Sequence, residues 1–346
     1  MRKSSVVRKT LINFKGHYSN SLINTDDCGV FNADVTHMAL DSVYTKLKKQ
    51  QWLHSTYELS PDANNYREIE EATQEALKRT LGLLMFLDSL QVNSLPVLNN
   101  AITHTGAKLC LTEQQSDEAL HARAYQYIYA SMFSEKERQE VSDYWRSLDA
   151  LKARVLSASE WHESFYKQRH VMRGEDYLRI IFANLLLERV YFYNGFNFIY
   201  RLAQDGGFQS VKAIIKWINK DEILHTEVFV QLYNMLIKQY PSLLNSAVPM
   251  FEDMASKVLE AENKWSTFAL VGVFEEFTNE RLNTFTNFNI NSLRRTLGFA
   301  TKPVSNPFPL NDIVLGGSDN VLSGNNTRYE HSSLSSNTIA DNDEPW

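Results

Sequence analysis

The chain has 346 residues, 43% of them hydrophobic, which is ample for a substantial core in one large domain or two ordinary ones and excludes a disordered polymer. A formal net charge of −6 and a pI near 5.9 leave no positive footprint for nucleic acid or an anionic membrane. Cys28 and Cys110 stand far apart in no metal-binding or redox spacing, so disulfide scaffolds and thiolate metal sites also drop out.

Residues 1–45 read as an N-terminal arm with a basic start, too short of apolar residues for a signal peptide. No later segment is an uninterrupted apolar run of ~18 residues, so a cytoplasmic protein is expected. The stretch 97–240 holds none of the eight prolines. An interior proline costs a helix ~3 kcal/mol, and such a run predicts packed helices. Helices are predicted at about 66–92 and 108–133, and Ser134 with Glu137 reads as a capping box for the next one. Another is expected near 149–169. In 175–204 the row Leu178, Ile181, Leu185, Glu188, Phe192, Phe196 and Ile199 follows i, i+3, i+4 steps and ends at Asp205-Gly206-Gly207. A further helix should run from Phe208 to Pro241, and one more over 251–288. Period-2 alternation is nowhere sustained, so the fold is expected to be all-α, with a helical domain over 46–300. Residues 301–346 hold four prolines, seven asparagines and seven serines and read as a flexible tail leaving the body at Asn306-Pro307-Phe308-Pro309. The tail ends in the acidic, aromatic 341–346.

Glu118-Ala-Leu-His121 and Glu222-Ile-Leu-His225 are the two Glu-x-x-His sequences of the chain. Three residues of helix place carboxylate and imidazole on one face, ~4.5 Å apart along the axis, where both can reach one metal ion. One such match alone is as well read as a surface pair or a core histidine. Two change the reading, because a dinuclear site in a helical bundle also needs one lone carboxylate from each remaining helix. Asp88, thirty residues before Glu118, and Glu188, thirty-four before Glu222, both sit in apolar runs where an unpaired carboxylate is costly. Taken singly, each could be a cap or an arginine partner. Together, four carboxylates and two histidines describe two oxygen-rich sites suited to iron or manganese. Tyr125, one turn beyond His121, falls close to those metals unless it is only a core tyrosine.

Ser116-Asp117-Glu118-Ala119-Leu120-His121-Ala122-Arg123-Ala124-Tyr125 and Lys220-Asp221-Glu222-Ile223-Leu224-His225 resemble the class I ribonucleotide reductase small (beta, radical-generating) subunits, over about Trp52 to Pro309. The resemblance implies a ferritin-like helical bundle with extra flanking helices. It implies a dinuclear iron or dinuclear manganese cofactor on Asp88, Glu118, His121, Glu188, Glu222 and His225, and a tyrosyl radical at Tyr125. Phe192, Phe196 and Ile218 would form the apolar pocket around that radical. Trp52, thirty-six residues before Asp88, and Asp221 would relay the oxidising equivalent, although either could serve packing or support alone. Tyr329 resembles the family's mobile tyrosine, though the sequence around it departs from the family pattern, and the final segment resembles the peptide that docks on the large subunit. The implied partners are that large (alpha) subunit, where ribonucleotides become deoxyribonucleotides, a second copy in a homodimer, and a flavodoxin-like activase if manganese is used. A di-metal oxygenase would need an open channel that the bulky Phe192 and Phe196 disfavour, and a ferritin-like iron store would have no use for Trp52, Asp221 or Tyr329. No nucleotide-binding glycine loop is evident, as expected if substrate binds the partner.

Overall fold

The computed structural model describes residues 11–23, 26–31, 37–168 and 172–308. Eleven α-helices run through them: α1 Met38–Lys49, α2 Ser60–Glu68, α3 Glu71–Ala101, α4 Thr105–Met132, α5 Glu135–Ser147, α6 Asp149–Gln168, α7 Gly174–Leu186, α8 Tyr193–Leu202, α9 Gln209–Gln239, α10 Leu244–Ala269 and α11 Asn279–Thr296. Among the described residues the only β pairing is two isolated bridges, so the all-α expectation holds.

At the centre, α3 packs on α4, α4 on α9, and α9 on α7, while α8 closes against α3 and α9. The flanking helices cover this bundle: α1 leans on α4 and α9, α5 and α6 on α3, and α10 and α11 on the α7 side. The reason is visible in burial. Leu77, Leu81, Leu84, Leu87, Leu95 and Leu98 of α3 are nearly or wholly sealed, each contributing roughly 1.5–3 kcal/mol. α3 is apolar enough by composition to cross a bilayer, yet half of its most apolar stretch is buried inside the bundle, as in the core helix of a globular fold.

Helix boundaries follow caps where the sequence supplies them. Ser134 and Glu137 form the predicted capping box on α5: Glu137 Oε2 accepts from the Ser134 amide at 2.9 Å and Ser134 Oγ from the Glu137 amide at 3.4 Å. His104 caps α4 by accepting from the Ala107 amide at 3.2 Å.

Three expectations are corrected. The helix predicted at 66–92 is α3, which starts later and runs through Pro96 to Ala101, because burial of Leu95, Leu98 and Ala101 outweighs the lost hydrogen bond. The helix predicted over 251–288 is two, α10 and α11, separated at Gly272, whose φ of 81° suits glycine, and restarted by the Thr278 cap on the Arg281 amide. The helix predicted over 175–204 is interrupted by a π-helical turn, Leu187–Tyr191, between α7 and α8.

Both ends of the described chain are tied down. Thr103 donates its amide to the Leu22 carbonyl at 2.8 Å, and Leu22 and Ile23 are buried. Beyond α11, Asn291 holds Lys302 by two hydrogen bonds, and Phe308 packs edge-on to Phe277 and Phe285, so the packed chain runs on to Phe308. Tyr329 and residues 341–346 lie outside the described residues.

Candidate metal centre

Each central helix delivers its carboxylate to one point. Asp88 comes from α3, Glu118 and His121 from α4, Glu222 and His225 from α9, and Glu188 from the π-helical turn, which adds a residue to the helical repeat and so re-aims the side chain. All six are fully buried. They form two groups of four, Asp88, Glu118, His121 and Glu222, and Glu118, Glu188, Glu222 and His225, with the candidate ligand atoms of each group within 4.8 Å of one another.

Glu118 and Glu222 belong to both groups, and they are divided atom by atom. His121 Nδ1 lies 3.6 Å from Glu118 Oε2, 3.3 Å from Glu222 Oε1 and 3.9 Å from Asp88 Oδ1. His225 Nδ1 lies 3.2 Å from Glu118 Oε1, 2.8 Å from Glu222 Oε2 and 3.8 Å from Glu188 Oε2. Both shared carboxylates thus turn one oxygen to each histidine, the geometry of a bridging ligand.

The imidazoles are oriented by carboxylates on their far nitrogens. His121 Nε2 is 3.0 Å from Asp221 Oδ2, which also accepts from Trp52 Nε1 at 2.8 Å, and Asp221 Oδ1 accepts from Gln50 at 2.6 Å. Trp52 and His121 stack with centroids 6.1 Å apart. His225 Nε2 is 3.5 Å from Asp117 Oδ2. In the neutral His121 ring the Asp221 carboxylate favours the Nε2–H tautomer and turns Nδ1 toward the cluster, whereas His225 Nδ1 is itself hydrogen-bonded to Glu222 Oε2 at 2.8 Å and its Nε2 has only the longer contact with Asp117. The support is crossed, since α9 supplies the aspartate for the α4 histidine and α4 the aspartate for the α9 histidine.

The donor set fits cations. Asp88 Oδ1 and Oδ2, Glu118 Oε2, Glu188 Oε2, Glu222 Oε1 and His121 Nδ1 are buried atoms without hydrogen-bond partners among the described residues, and they face one another. Burial, then the neighbouring carboxylates, pushes the Asp88 and Glu188 carboxyls well above their ordinary range. Burial also opposes the charges on Glu118 and Glu222, but the two histidines hold these carboxyls below their usual values. His121 and His225 are raised in turn, because the surrounding carboxylates outweigh burial. Four crowded carboxylates with so few positive partners are a site that dications satisfy, and oxygen-rich donors with one imidazole each match iron or manganese.

Tyr125 lies one turn past His121 on α4, fully buried, its hydroxyl without a partner among the described residues. Burial, then the Asp88 charge, raises its phenol well above the usual value. Phe192, Phe196 and Ile218 are fully buried in the same core, with the two phenylalanine rings stacked at 5.5 Å. Of the expected site residues, all but Tyr329 lie within the described residues.

Sequence reasoning passed over four residues. Asp117 had a readable signal, since it precedes Glu118 as Asp221 precedes Glu222. Gln91, one turn after Asp88, and Gln114, one turn before Glu118, both donate to Glu188 Oε1, Gln114 at 2.7 Å. Gln50, the other, had no signal beyond its nearness to Trp52.

Known proteins share this chain's sequence pattern and fold. The family model for the ribonucleotide reductase small chain matches residues 32–302. A ribonucleoside-diphosphate reductase subunit beta of Treponema pallidum is 29% identical over 248 residues, covering 71% of this chain and 70% of that one. One from Halalkalibacterium halodurans is 26% identical over 293 residues, covering 84% and 83%. The solved ribonucleotide reductase R2 subunit from Clostridium botulinum shares the fold, with a TM-score of 0.78 at 24% identity over 90% of this chain and 99% of that one. With the family model spanning most of its length, the chain belongs to the ribonucleotide reductase small-chain family.

Proposed function

We propose that this chain is the small subunit of a class I ribonucleoside-diphosphate reductase, an oxidoreductase active together with its large subunit, and that its own task is to generate and hold a tyrosyl radical at Tyr125. The observation that carries the reading is the pair of four-ligand groups sharing Glu118 and Glu222, with Tyr125 one turn beyond His121. Asp88, Glu118, His121 and Glu222 would hold one ion, and Glu118, Glu188, Glu222 and His225 the other. When bound, a pair of iron or manganese ions supplies, with an oxidant, the one-electron oxidising power that a phenol requires.

The chain's own residues orient and insulate. Burial keeps the Tyr125 phenol neutral at ordinary pH, so its oxidation must release a proton together with the electron. Phe192, Phe196 and Ile218, fully buried, would line the pocket of Tyr125 as the family resemblance implies and exclude water from it, which would prolong a radical's life. Trp52, hydrogen-bonded to Asp221 and through it to His121, gives a short bonded route from the cluster toward the surface. Tyr329 would continue it to the large subunit, with residues 341–346 as the docking peptide. A homodimer and, for manganese, a flavodoxin-like activase complete the proposed assembly.

The test is an electron paramagnetic resonance spectrum of metal-free protein loaded anaerobically with ferrous iron and exposed to oxygen, beside Tyr125→Phe. A persistent tyrosyl signal, lost in the variant while two metals per chain remain, is expected. Failure of the wild type to bind two metals overturns the reading, and a signal that survives Tyr125→Phe overturns the role of Tyr125.

A further inference from the structure

The two halves of the cluster differ in how their terminal carboxylates are held. Asp88 is buried with both carboxylate oxygens free of hydrogen bonds among the described residues. Glu188 is equally buried, but its Oε1 accepts from two side-chain amides, Gln91 Nε2 of α3 and Gln114 Nε2 of α4, and only Oε2 is left facing His225. Both glutamines are themselves fully buried. Their orientation is set by chemistry once Glu188 is ionised, as a metal ligand must be: turning either amide over would press a carbonyl oxygen against a carboxylate. Gln114 keeps this orientation although its own Oε1 then has no partner among the described residues, while the Gln91 Oε1 faces the Ser94 hydroxyl at 3.5 Å.

The backbone beneath Glu188 is held as well. A π-helical turn leaves main-chain carbonyls out of register with the α-helical ladder. At the last residue of this one, the Tyr191 carbonyl accepts from the buried Arg154 guanidinium, which also pairs with the buried Glu262. Glu262 accepts in addition from Asn194 at 3.2 Å, at the start of α8. Glu188 is therefore held at its carboxylate from α3 and α4, and the turn that carries it is held at its last carbonyl, that of Tyr191, by Arg154 of α6, itself paired with Glu262 of α10.

We propose that Gln91 and Gln114 are positioning residues that restrict Glu188 to a single metal-facing oxygen, so that the His225 site is preset in one coordination geometry while Asp88 leaves the His121 site free to use one oxygen or two. The inference rests on the proposed dinuclear centre and goes beyond it, because it assigns different mechanical characters to the two sites. Neither amide touches a metal in this arrangement. Each acts through Glu188, and Gln114 also reaches Glu118 Oε1 at 3.4 Å. A charge-assisted hydrogen bond to an ionised oxygen is among the stronger kinds, and losing one lets the carboxylate rotate and bind through both oxygens.

The experiment is a manganese(II) titration of the full chain, followed by electron paramagnetic resonance and calorimetry, for wild type, Gln114→Met and Gln91→Met. Methionine keeps the volume and removes the donor. The expected result is two sites in the wild type and a loss of about tenfold or more at one of them in either variant, with the other unchanged. Site assignment comes from backgrounds: Gln114→Met should have its effect when His121 is replaced by alanine and none when His225 is. A crystal structure of the manganese-loaded wild type should show Glu188 bound through Oε2 alone. Equal weakening of both sites, no weakening, or a Glu188 chelating through both oxygens in the wild type overturns the proposal. If Gln114→Met does not fold, Gln91→Met and the loaded wild-type structure decide it. A wild type with fewer than two sites would instead overturn the dinuclear reading itself, a result distinct from two sites with unaltered variants.

Discussion

Replacing Asp221 by asparagine probes the support of His121 with little change of shape. Asp221 is 2% exposed and accepts three hydrogen bonds, from Gln50 at 2.6 Å, Trp52 at 2.8 Å and His121 at 3.0 Å. An asparagine oxygen at the Oδ2 position keeps Trp52 and His121 supplied, and the Gln50 amide can turn over to accept from the new NH2 group. No donor is stranded, so the cost is the difference between charge-assisted and neutral bonds, roughly 0.5–1.5 kcal/mol each and about 1.5–4.5 kcal/mol for the three. Asp221→Leu strands all three donors and should cost more, about 3–6 kcal/mol. Without the carboxylate at Nε2, His121 is a weaker and less oriented ligand, and manganese(II) affinity at its site should fall about 10–100-fold in Asp221→Asn. Asp117→Asn is the internal control. Its contact to His225 is longer, 3.5 Å, so the effect should be smaller, less than about tenfold, and confined to the other site. Urea unfolding of the metal-free proteins and manganese titrations of the same samples measure both quantities. Equal losses for the two asparagine variants, or unchanged affinity at the His121 site in Asp221→Asn, would refute the reasoning.

Two further outcomes follow from burial and charge. Arg154→Met leaves Glu262, fully buried, without its cation and should destabilise the metal-free protein by about 3–5 kcal/mol in urea unfolding, whereas Arg154→Met with Glu262→Met should recover most of the loss. A single-variant cost below about 1 kcal/mol would show that this pair bears little of the fold. For pH, Asp88 and Glu188 titrate above their ordinary 3.8 and 4.5, and His121 and His225 above 6.5, in the folded metal-free protein. The stability these groups contribute through their protonated forms is full below those ordinary values and is lost as pH rises through the raised ones. Glu118 and Glu222, held low, stay ionised across this window and add no slope. Metal binding must expel the raised protons, so the rise in Tm on adding manganese(II) should grow as pH is raised past the ordinary histidine value of 6.5, and a flat difference would contradict these directions.

The local chemistry of the centre was written in the chain. Glu118-x-x-His121 and Glu222-x-x-His225 lie on helices whose period alone puts each pair on one face, and the apolar runs around Asp88 and Glu188 mark carboxylates in need of a cation. Helical periodicity and the Ser134–Glu137 box settled class and one boundary for the same reason: they depend on neighbours within a turn or two. Three boundaries escaped. Pro96 sits within α3 because burial outweighs its cost, Gly272 ends α10 inside an otherwise helical pattern, and the π-helical turn falls where residues 180–187 and 190–193 are apolar or aromatic save for Asn184, and every residue from Ile180 to Tyr193 is buried, so no polar face records the change of pitch. Only the tertiary structure decided which oxygen of Glu118 and Glu222 faces which histidine, the crossed support by Asp221 and Asp117, and the amide clamp on Glu188. These contacts join residues 169 apart for Trp52 and Asp221, 100 for His121 and Asp221 and 74 for Gln114 and Glu188, and no local propensity encodes such a distance. They exist because burying the apolar faces of α3, α4, α7 and α9 against one another brings four carboxylates into one place, and the remaining buried polar atoms must then find partners among whatever those faces present.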